Sequence, residues 1–373
     1  MFDDIRPFRD DEASAVIQKL INEPALQESI ASYFSPRLNS IFPALSHWLV
    51  RTYLKSKAAK LHSVKDFQQV VARYLHRLIQ KSTDGFSFNG LSQLDMSKPT
   101  LFISNHRDIA LDPALINLAL HKNGYDTVEI AIGDNLLSKP WISDLMRINK
   151  SFIVKRSAQS KRAMLTASKN LSSYIHHTLS ENHQNVWIAQ REGRAKDGLD
   201  KTNAALISML LLNKGKEKTI ETYLNELNIV PVSISYEFDP CDKDKAIELA
   251  TIEETGEYQK AEGEDMRSIT QGLIGHKGRV HIEFGQSIVG DYKNSKSIAK
   301  EIDRQIISTY KLYDSNLSAK NKLANGDAVI PSLNERMQGL TESQQRWILT
   351  MYANPVTAKE QLKQLEQIEQ IEP

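Results

Sequence analysis

Between residues 85 and 290, short apolar runs alternate with stretches whose apolar residues recur at helical spacing. Runs of roughly four to eight residues rich in Val, Ile and Phe are typical of buried strands. Six such runs are "TLFIS" (100–104), "TVEIAIG" (127–133), "SFIVKR" (151–156), "NVWIAQ" (185–190), "NIVPVSISYE" (228–237) and "RVHIEFG" (279–285). Helical stretches such as "PALINLALHKNG" lie between them. This alternation predicts an α/β fold with a mixed, largely parallel sheet flanked by helices.

Both ends of the chain carry helical patterns. Apolar residues follow an i, i+3, i+4 stripe in "VKDFQQVVARYLHRLIQK", and helical patterns return in "SKSIAKEIDRQIISTYKLY" and "TESQQRWILTMYA". The tail "QLKQLEQIEQIEP" has an apolar residue at every third position, a period that drifts around an α-helix, so we expect a short docking helix or a frayed end. The patterns predict a helical region over 1–85, an α/β domain over 86–292 and a second helical region over 293–373.

Composition and charge narrow the class of protein. The 373 residues are 40% hydrophobic and 25% charged, which is enough for a sizeable core. A net charge of +1 gives no overall basic field and argues against nucleic acid as the main partner. The single cysteine, Cys241, excludes an intrachain disulfide and a cysteine-based metal cluster, and it fits a reducing cytoplasm.

The apolar stretches are too short to cross a membrane. "IFPALSHWLV" (41–50) and "AALISMLLL" (204–212) both fall short of the ~20 residues that a spanning helix needs. The N-terminal "MFDDIRPFRDDE" is acidic and lacks the apolar core of a signal peptide. We therefore expect a soluble or peripheral protein.

The segment "SNHRDIALDPAL" (104–115) places ionisable groups directly after a predicted strand. His106 can act as a general base, because imidazole titrates near physiological pH, provided that a carboxylate fixes its tautomer. Asp112 and Asp108 are the two candidates for that carboxylate. Asp112 also precedes Pro113, a pattern typical of a helix N-cap. The segment fits either a catalytic pair or a polar loop that caps the next helix.

Two further segments carry candidate anion-binding groups. Arg156 ends "SFIVKR", and a guanidinium at a strand end can hold a phosphate or a carboxylate. "REGRAKDG" (191–198) adds arginines, a carboxylate and glycines that let the backbone approach a ligand. Taken alone, Arg156 fits a surface arginine better than a ligand-binding one, and the alternative for residues 191–198 is an ordinary charged turn. Because sites gather at the carboxyl ends of parallel strands, we expect "NHRD" and "REGR" to share one site.

The order and spacing of these segments resemble the four-block pattern of the glycerolphosphate and lysophosphatidate acyltransferase family. The blocks are "NHRDIALDP" (105–113), "GDNLLSKPWISDLMRINKSFIVKR" (133–156), "VWIAQREGRAKDG" (186–198) and "IVPVSISYE" (229–237), and the resemblance covers residues 86–290. Two departures stand out. Five residues, where the family usually has four, separate His106 from Asp112, and Gly193 is followed at once by Arg194, where the family has an intervening residue. The first departure leaves open which aspartate orients the imidazole.

The resemblance implies transfer of a fatty acyl group from acyl-CoA or acyl-carrier protein to a hydroxyl of a glycerol phosphate-type acceptor, with lysophosphatidate preferred, in phospholipid biosynthesis. His106 would take the proton from the hydroxyl, and Asp112 would hold the imidazole. No metal ion or cofactor is implied. The residues implied in acceptor binding are Asn105, Arg107, Arg156, Glu192, Gly193 and Arg194.

Two other functions fit the same residues. One is a catalytically degenerate protein of the acyltransferase fold that binds a lipid or a partner, and the altered spacings of the first and third blocks keep this alternative open. The other is a histidine-dependent hydrolase of acyl thioesters.

An enzyme that makes lipids needs contact with a membrane surface. The segment "IFPALSHWLVRTYLKSKAAK" (41–60) combines Trp48 and Tyr53 with basic residues, as an interfacial anchor does. The alternative is a helix packed on the α/β domain with its lysines in water. The expected location is the cytoplasm, peripheral on the inner face of the cell membrane.

Overall fold

The computed structural model describes residues 2–137, 139–157 and 160–371, and these hold sixteen α-helices and seven β-strands. The helices are α1 (Asp10–Ile21), α2 (Pro24–Phe34), α3 (Pro36–Ile41), α4 (Pro43–Ala58), α5 (Val64–Ser82), α6 (Leu111–Lys122), α7 (Pro140–Ile148), α8 (Lys161–Ser180), α9 (Ala204–Leu210), α10 (Ile220–Leu227), α11 (Asp242–Thr255), α12 (Glu264–Ile274), α13 (Ser295–Thr309), α14 (Asp314–Asn325), α15 (Pro331–Met337) and α16 (Glu342–Ile371). The strands are β1 (Gly85–Asn89), β2 (Leu101–Ser104), β3 (Glu129–Gly133), β4 (Ser151–Val154), β5 (Val186–Ala189), β6 (Ile229–Tyr236) and β7 (Arg279–Phe284). All six predicted strands are confirmed, and β1 precedes them.

The chain forms two compact units. The first combines the described residues up to Leu75 with Glu129–Tyr174, and the second combines His76–Val128 with the described residues from Ile175 onward. The division of the sequence into 1–85, 86–292 and 293–373 stays a prediction.

The second unit holds five strands in the order β1-β7-β6-β2-β5. The neighbouring strands are parallel except β6 and β7, which are antiparallel. In the first unit, β3 and β4 pair in parallel. The predicted α/β class with a mixed, largely parallel sheet and helical additions at both ends is therefore confirmed.

Strand β2 lies between β5 and β6, and its four residues are buried. All eight residues of β6 are buried as well, including Ser233 and Ser235. Burial on both faces explains the uninterrupted apolar runs in β2 and in the first half of β6. Because β2 and β5 are parallel neighbours, the segments that follow them leave the sheet at the same edge.

The first unit has its own apolar core. The core consists of Ala13, Ile17, Leu20, Ile21, Ala58, Val64 and Ile148, contributed by α1, α4, α5 and α7. Most of the other apolar side chains of α4 are exposed. Among the described residues, no helix is both long enough and apolar enough to cross a membrane.

The C-terminal region corrects one prediction. The tail is neither a short separate helix nor a frayed end, because its described part continues α16, a helix of 30 residues that runs through Pro355. Helix α16 packs against α11 and α14, and the buried side chains there include Phe238, Leu333, Ile348 and Tyr352. Burial of this apolar face stabilises a helix that contains a proline.

Candidate active site

His106 and Asp112 form a hydrogen-bonded pair in the second unit. His106 follows the carboxyl end of β2, and Asp112 lies in the first turn of α6. Nδ1 of His106 is 2.8 Å from Oδ2 of Asp112. The carboxylate is fully buried, whereas 14% of the histidine side chain is exposed. The arrangement suits a base that faces solvent or substrate and is supported from the interior.

The loop before α6 wraps around the Asp112 carboxylate. Oδ2 also accepts the backbone N–H groups of Arg107 at 2.6 Å and Asp108 at 3.0 Å. Oδ1 accepts the hydroxyl of Tyr236 at 2.8 Å. A buried carboxylate needs such donors to replace its lost hydration, and here they also fix its orientation toward His106.

The predicted helix cap at Asp112 is wrong. Helix α6 begins at Leu111, so Asp112 and Pro113 lie inside its first turn. The carboxylate of Asp108 instead accepts the N–H groups of Ala110 at 3.0 Å and Leu111 at 2.8 Å. Asp112 turns back toward the preceding loop because its donors lie there.

These contacts define the tautomer of His106. An ionised carboxylate only accepts hydrogen bonds, so Nδ1 carries the proton that it donates to Asp112. The other ring nitrogen, Nε2, then has a lone pair. Within the described residues, no group hydrogen-bonds to Nε2. The ring packs edge-to-face against Trp187 of β5, with 5.7 Å between the ring centres.

The side chain of Asp108 is engaged by the start of α6 and by α12. It is buried, and its Oδ2 lies so close to α12 that a Cβ on Gly272 would be 2.0 Å from it. Burial raises the pKa of Asp108, and the neighbouring charge of Asp112 raises it further. Of the two aspartates, Asp112 is the one that the structure places on His106.

Asn105 and Arg107 flank His106, and their side chains are engaged by protein groups. The Asn105 amide donates to the carbonyl of Ile234 and to Asp200, and its oxygen accepts the N–H of Ile234 at 2.8 Å. Nη2 of Arg107 donates to Asp200 at 2.7 Å. Burial alone would lower the pKa of Arg107, but Asp200 and other acids raise it above its ordinary value, so the guanidinium stays charged. Burial raises the pKa of Asp200, and the charge of Arg107 opposes this shift. The predicted contact of Asn105 and Arg107 with an acceptor remains a prediction.

The segment after β5 approaches the same edge of the sheet. The N–H of Ala195 donates to the carbonyl of His106 at 2.8 Å, so "REGR" adjoins "NHRD". Glu192 and Gly193 are exposed, and Gly193 has a φ of +72°, which favours glycine. Arg194 is half-buried, and its Nη1 is a buried donor without a hydrogen-bond partner among the described residues.

Arg156 belongs to the first unit, beyond the end of β4. It is half-buried, and its backbone N–H donates to Asp134 at 3.2 Å. Its guanidinium packs against Gly133, where a Cβ would lie 2.9 Å from Cζ. A glycine at this position thus makes room for the arginine.

Three residues of the site were not predicted from the sequence as site residues. Tyr236 supports Asp112, Asp200 joins Asn105 to Arg107, and Trp187 packs against His106. Tyr236 lies in the fourth block and Trp187 lies in the third, so the four-block pattern is the signal in the sequence that could have identified them. Within the part of the chain that the structure describes, no three His, Cys, Asp or Glu side chains come together as metal ligands would.

Part of the chain matches the model of a known protein family. The family model described as Acyltransferase matches residues 85–235, a range that contains the His106–Asp112 pair. Among solved structures, the chain is similar to the crystal structure of the 1-acyl-sn-glycerophosphate (LPA) acyltransferase PlsC from Thermotoga maritima, with 13% identity, 75% of this chain and 92% of that chain covered, and a TM-score of 0.38. A comparison with curated proteins gave no match. The family model agrees with the resemblance seen in the four blocks, because its matched range, residues 85–235, contains the first three blocks and most of the fourth.

Proposed function

We propose that this protein is an acyltransferase that moves a fatty acyl group from acyl-CoA or acyl-carrier protein to the hydroxyl of a glycerol phosphate-type lipid, with lysophosphatidate preferred, in phospholipid biosynthesis. The observation that carries the proposal is the His106–Asp112 pair inside the matched region, with Nδ1 bonded to the buried carboxylate at 2.8 Å. A base supported in this way can activate a hydroxyl directly, without a covalent acyl-enzyme.

The proposed reaction is a single acyl transfer. Nε2 of His106 accepts the proton of the acceptor hydroxyl while the hydroxyl oxygen attacks the thioester carbonyl. The new C–O bond forms, the C–S bond breaks, and the departing thiolate takes the proton from the imidazolium. Asp112 stabilises the transient positive charge on the ring through Nδ1.

The acceptor phosphate finds candidate partners in the arginines. A buried guanidinium nitrogen without a partner, such as Nη1 of Arg194, costs free energy unless a ligand satisfies it. Phosphate oxygens are suited to this role, since guanidinium groups bind them through charge-assisted hydrogen bonds. We assign Arg194 to the phosphate, whereas the predicted role of Arg156 in the first unit stays a prediction.

The reaction is tested with labelled acyl-CoA and, separately, labelled acyl-carrier protein, each with a panel of lysolipids and glycerol 3-phosphate. We expect labelled phosphatidate from lysophosphatidate, and its loss in His106→Ala. Acceptor-independent release of free fatty acid would instead identify a thioester hydrolase. Lipid binding without turnover of any donor would identify the degenerate protein and overturn the proposal.

We further propose that α4 binds the cytoplasmic face of the cell membrane. Phe42, Leu45, Trp48 and Leu49 are 44–60% exposed and recur at helical spacing, so they form one apolar face. Exposed basic residues follow on the same helix or just beyond it: Arg51, Lys55, Lys57 and Lys60. An apolar face beside basic residues suits insertion among anionic headgroups. We assign the cytoplasmic face because a single cysteine fits a reducing compartment and because the proposed acyl donor is a thioester.

Flotation with vesicles containing phosphatidylglycerol tests the membrane proposal. Leu45→Ser/Leu49→Ser removes two leucines that are 47% and 44% exposed, and Leu317→Ser/Leu323→Ser on α14 removes two that are each 46% exposed. Only the α4 variant should lose binding. Equal binding by both variants would reject α4 as the anchor, and a wild-type dimer that the α4 variant abolishes would identify a second copy as the occupant.

A further inference from the structure

One turn of α16, Met351–Pro355, contacts the loop that adjoins His106. Proline lacks a backbone N–H, so Pro355 cannot donate to the carbonyl of Met351 within the helix. Gly198 packs against that carbonyl, and a Cβ at position 198 would lie 2.0 Å from the oxygen. Gly198 also has a φ of +79°, so both its conformation and its neighbour favour glycine.

A side chain of the same turn fixes the adjacent peptide. Nδ2 of Asn354 donates to the carbonyl of Asp197 at 2.7 Å, and Asn354 is half-buried. The backbone of residues 197–198 is thus held by α16 at two successive positions.

This loop in turn holds the residues on both sides of His106. Nη2 of Arg107 donates to the carbonyl of Gly198 at 3.1 Å and to the Asp200 carboxylate at 2.7 Å. The same carboxylate oxygen accepts Nδ2 of Asn105 at 3.1 Å. A shift of residues 197–200 would therefore move Asn105 and Arg107, and His106 between them.

A second route starts from Tyr352 in the same turn. Its hydroxyl accepts the N–H of Asp239 at 2.9 Å and donates to Asp242 at 2.8 Å. Asp239 forms an ion pair with Lys245, and Nζ of Lys245 donates to the carbonyl of Arg107 at 2.7 Å. Both routes end on the backbone or side chains next to His106, and every group in the second route is buried.

We propose that the Met351–Pro355 turn of α16 positions His106 for acyl transfer, with Asn354 as a positioning residue that acts through the 197–200 loop. The inference rests on the proposed function and extends it, because it gives the C-terminal helical region a task in the reaction.

Asn354→Asp tests this proposal, because it keeps the shape of the side chain and replaces the N–H donor with an oxygen that repels the Asp197 carbonyl. The matched control is Thr357→Val on the same helix, which removes the hydrogen bond donated by Lys320 on α14 and a longer one, at 3.4 Å, to the carbonyl of Ala353, and neither of these bonds involves the 197–200 loop. Loss of the hydrogen bond that holds the 197–200 loop, about 1.4 kcal/mol if it is transmitted in full to His106, corresponds to about a tenfold lower kcat. We expect that loss in Asn354→Asp alone, with KM for the acyl donor within about twofold of wild type and a melting temperature close to that of the control.

A second measurement does not depend on activity. The proton on Nδ1 of His106, hydrogen-bonded to Asp112, should give a downfield proton NMR signal that His106→Ala removes. Asn354→Asp should shift or broaden this signal, and Thr357→Val should not. An unchanged signal together with a control-like kcat would overturn the positioning role. An altered signal in a protein that acylates no acceptor would leave the positioning role standing and refute the proposed function.

Discussion

Tyr236→Phe is the substitution that best isolates the support of Asp112, because it removes one hydroxyl and leaves the ring. Among the described residues, the Tyr236 hydroxyl is the only donor to Oδ1 of Asp112, at 2.8 Å. Burial raises the pKa of Tyr236 well above its ordinary value, and Asp112 raises it further, so the phenol stays protonated and continues to donate at assay pH. The free-energy cost of the substitution is therefore that of one hydrogen bond to a buried charge.

Such a bond contributes about 1.5–3 kcal/mol. If the whole amount is lost in the transition state, where Asp112 must hold a charged imidazolium, kcat falls about 10- to 100-fold, at ~1.4 kcal/mol for each tenfold. The free energy of unfolding should fall by a similar amount, because Oδ1 is left buried without a donor.

Steady-state acyl transfer and urea unfolding measure the two effects. The control is Tyr313→Phe, which removes a buried hydroxyl that has no hydrogen-bond partner among the described residues. This control should keep wild-type kcat and stability. A Tyr236→Phe enzyme with wild-type kcat would refute the argument that Oδ1 must be held for Asp112 to orient His106.

Two further predictions concern buried carboxyl groups. Asp112→Asn should lower kcat about 100-fold or more, because a neutral amide cannot accept three donors on one atom and stabilise the imidazolium. Asp108→Asn keeps the oxygen that caps α6 and should cost less than about tenfold; equal losses in the two variants would contradict the assignment of the orienting acid. Asp303 accepts the N–H of Thr202 at 2.7 Å, and burial raises its pKa from 3.8 to about 6. The unfolded carboxyl then releases its proton at lower pH than the folded one, so this group costs stability as pH rises from about 4 to about 6. The unfolding free energy of Asp303→Asn, relative to that of wild type, should therefore rise by about 1–3 kcal/mol between pH 4 and pH 7. Denaturant unfolding at the two pH values measures this difference. The same difference between variant and wild type at both pH values would contradict the shifted pKa.

The strands could be predicted because buried parallel strands read as uninterrupted apolar runs bounded by polar turns. β2 is the clearest case, since Leu101, Phe102 and Ile103 are fully buried between β5 and β6. Helix α16 could not be predicted as one element. Its tail has a three-residue period and Pro355 interrupts it, whereas its stability comes from tertiary contacts such as Lys359 Nζ donating to the carbonyl of Tyr310 at 2.8 Å.

In the candidate site, residues that are close in sequence could be predicted, and residues that are distant in sequence could not. His106 and Asp112 are six residues apart, so a local pattern reveals them. Asp200 meets Asn105 across 95 positions, and Tyr236 meets Asp112 across 124. Contacts of this range depend on the order of strands in the sheet, which the local pattern of the sequence does not determine. The helix cap was misassigned because the proline after Asp112 is typical of a cap, while the donors to its carboxylate lie in the preceding loop.

The most direct test of the central claim compares acyl transfer to lysophosphatidate in two histidine variants of the full chain. His106→Ala removes the imidazole bonded to buried Asp112, whereas His276→Ala removes an exposed imidazole bonded to Asp84 at 3.0 Å. Loss of general-base catalysis should lower the rate of labelled phosphatidate formation by about 100-fold or more in His106→Ala, while His276→Ala retains the wild-type rate. Equal rates in the two variants would contradict the assignment of His106 as the base.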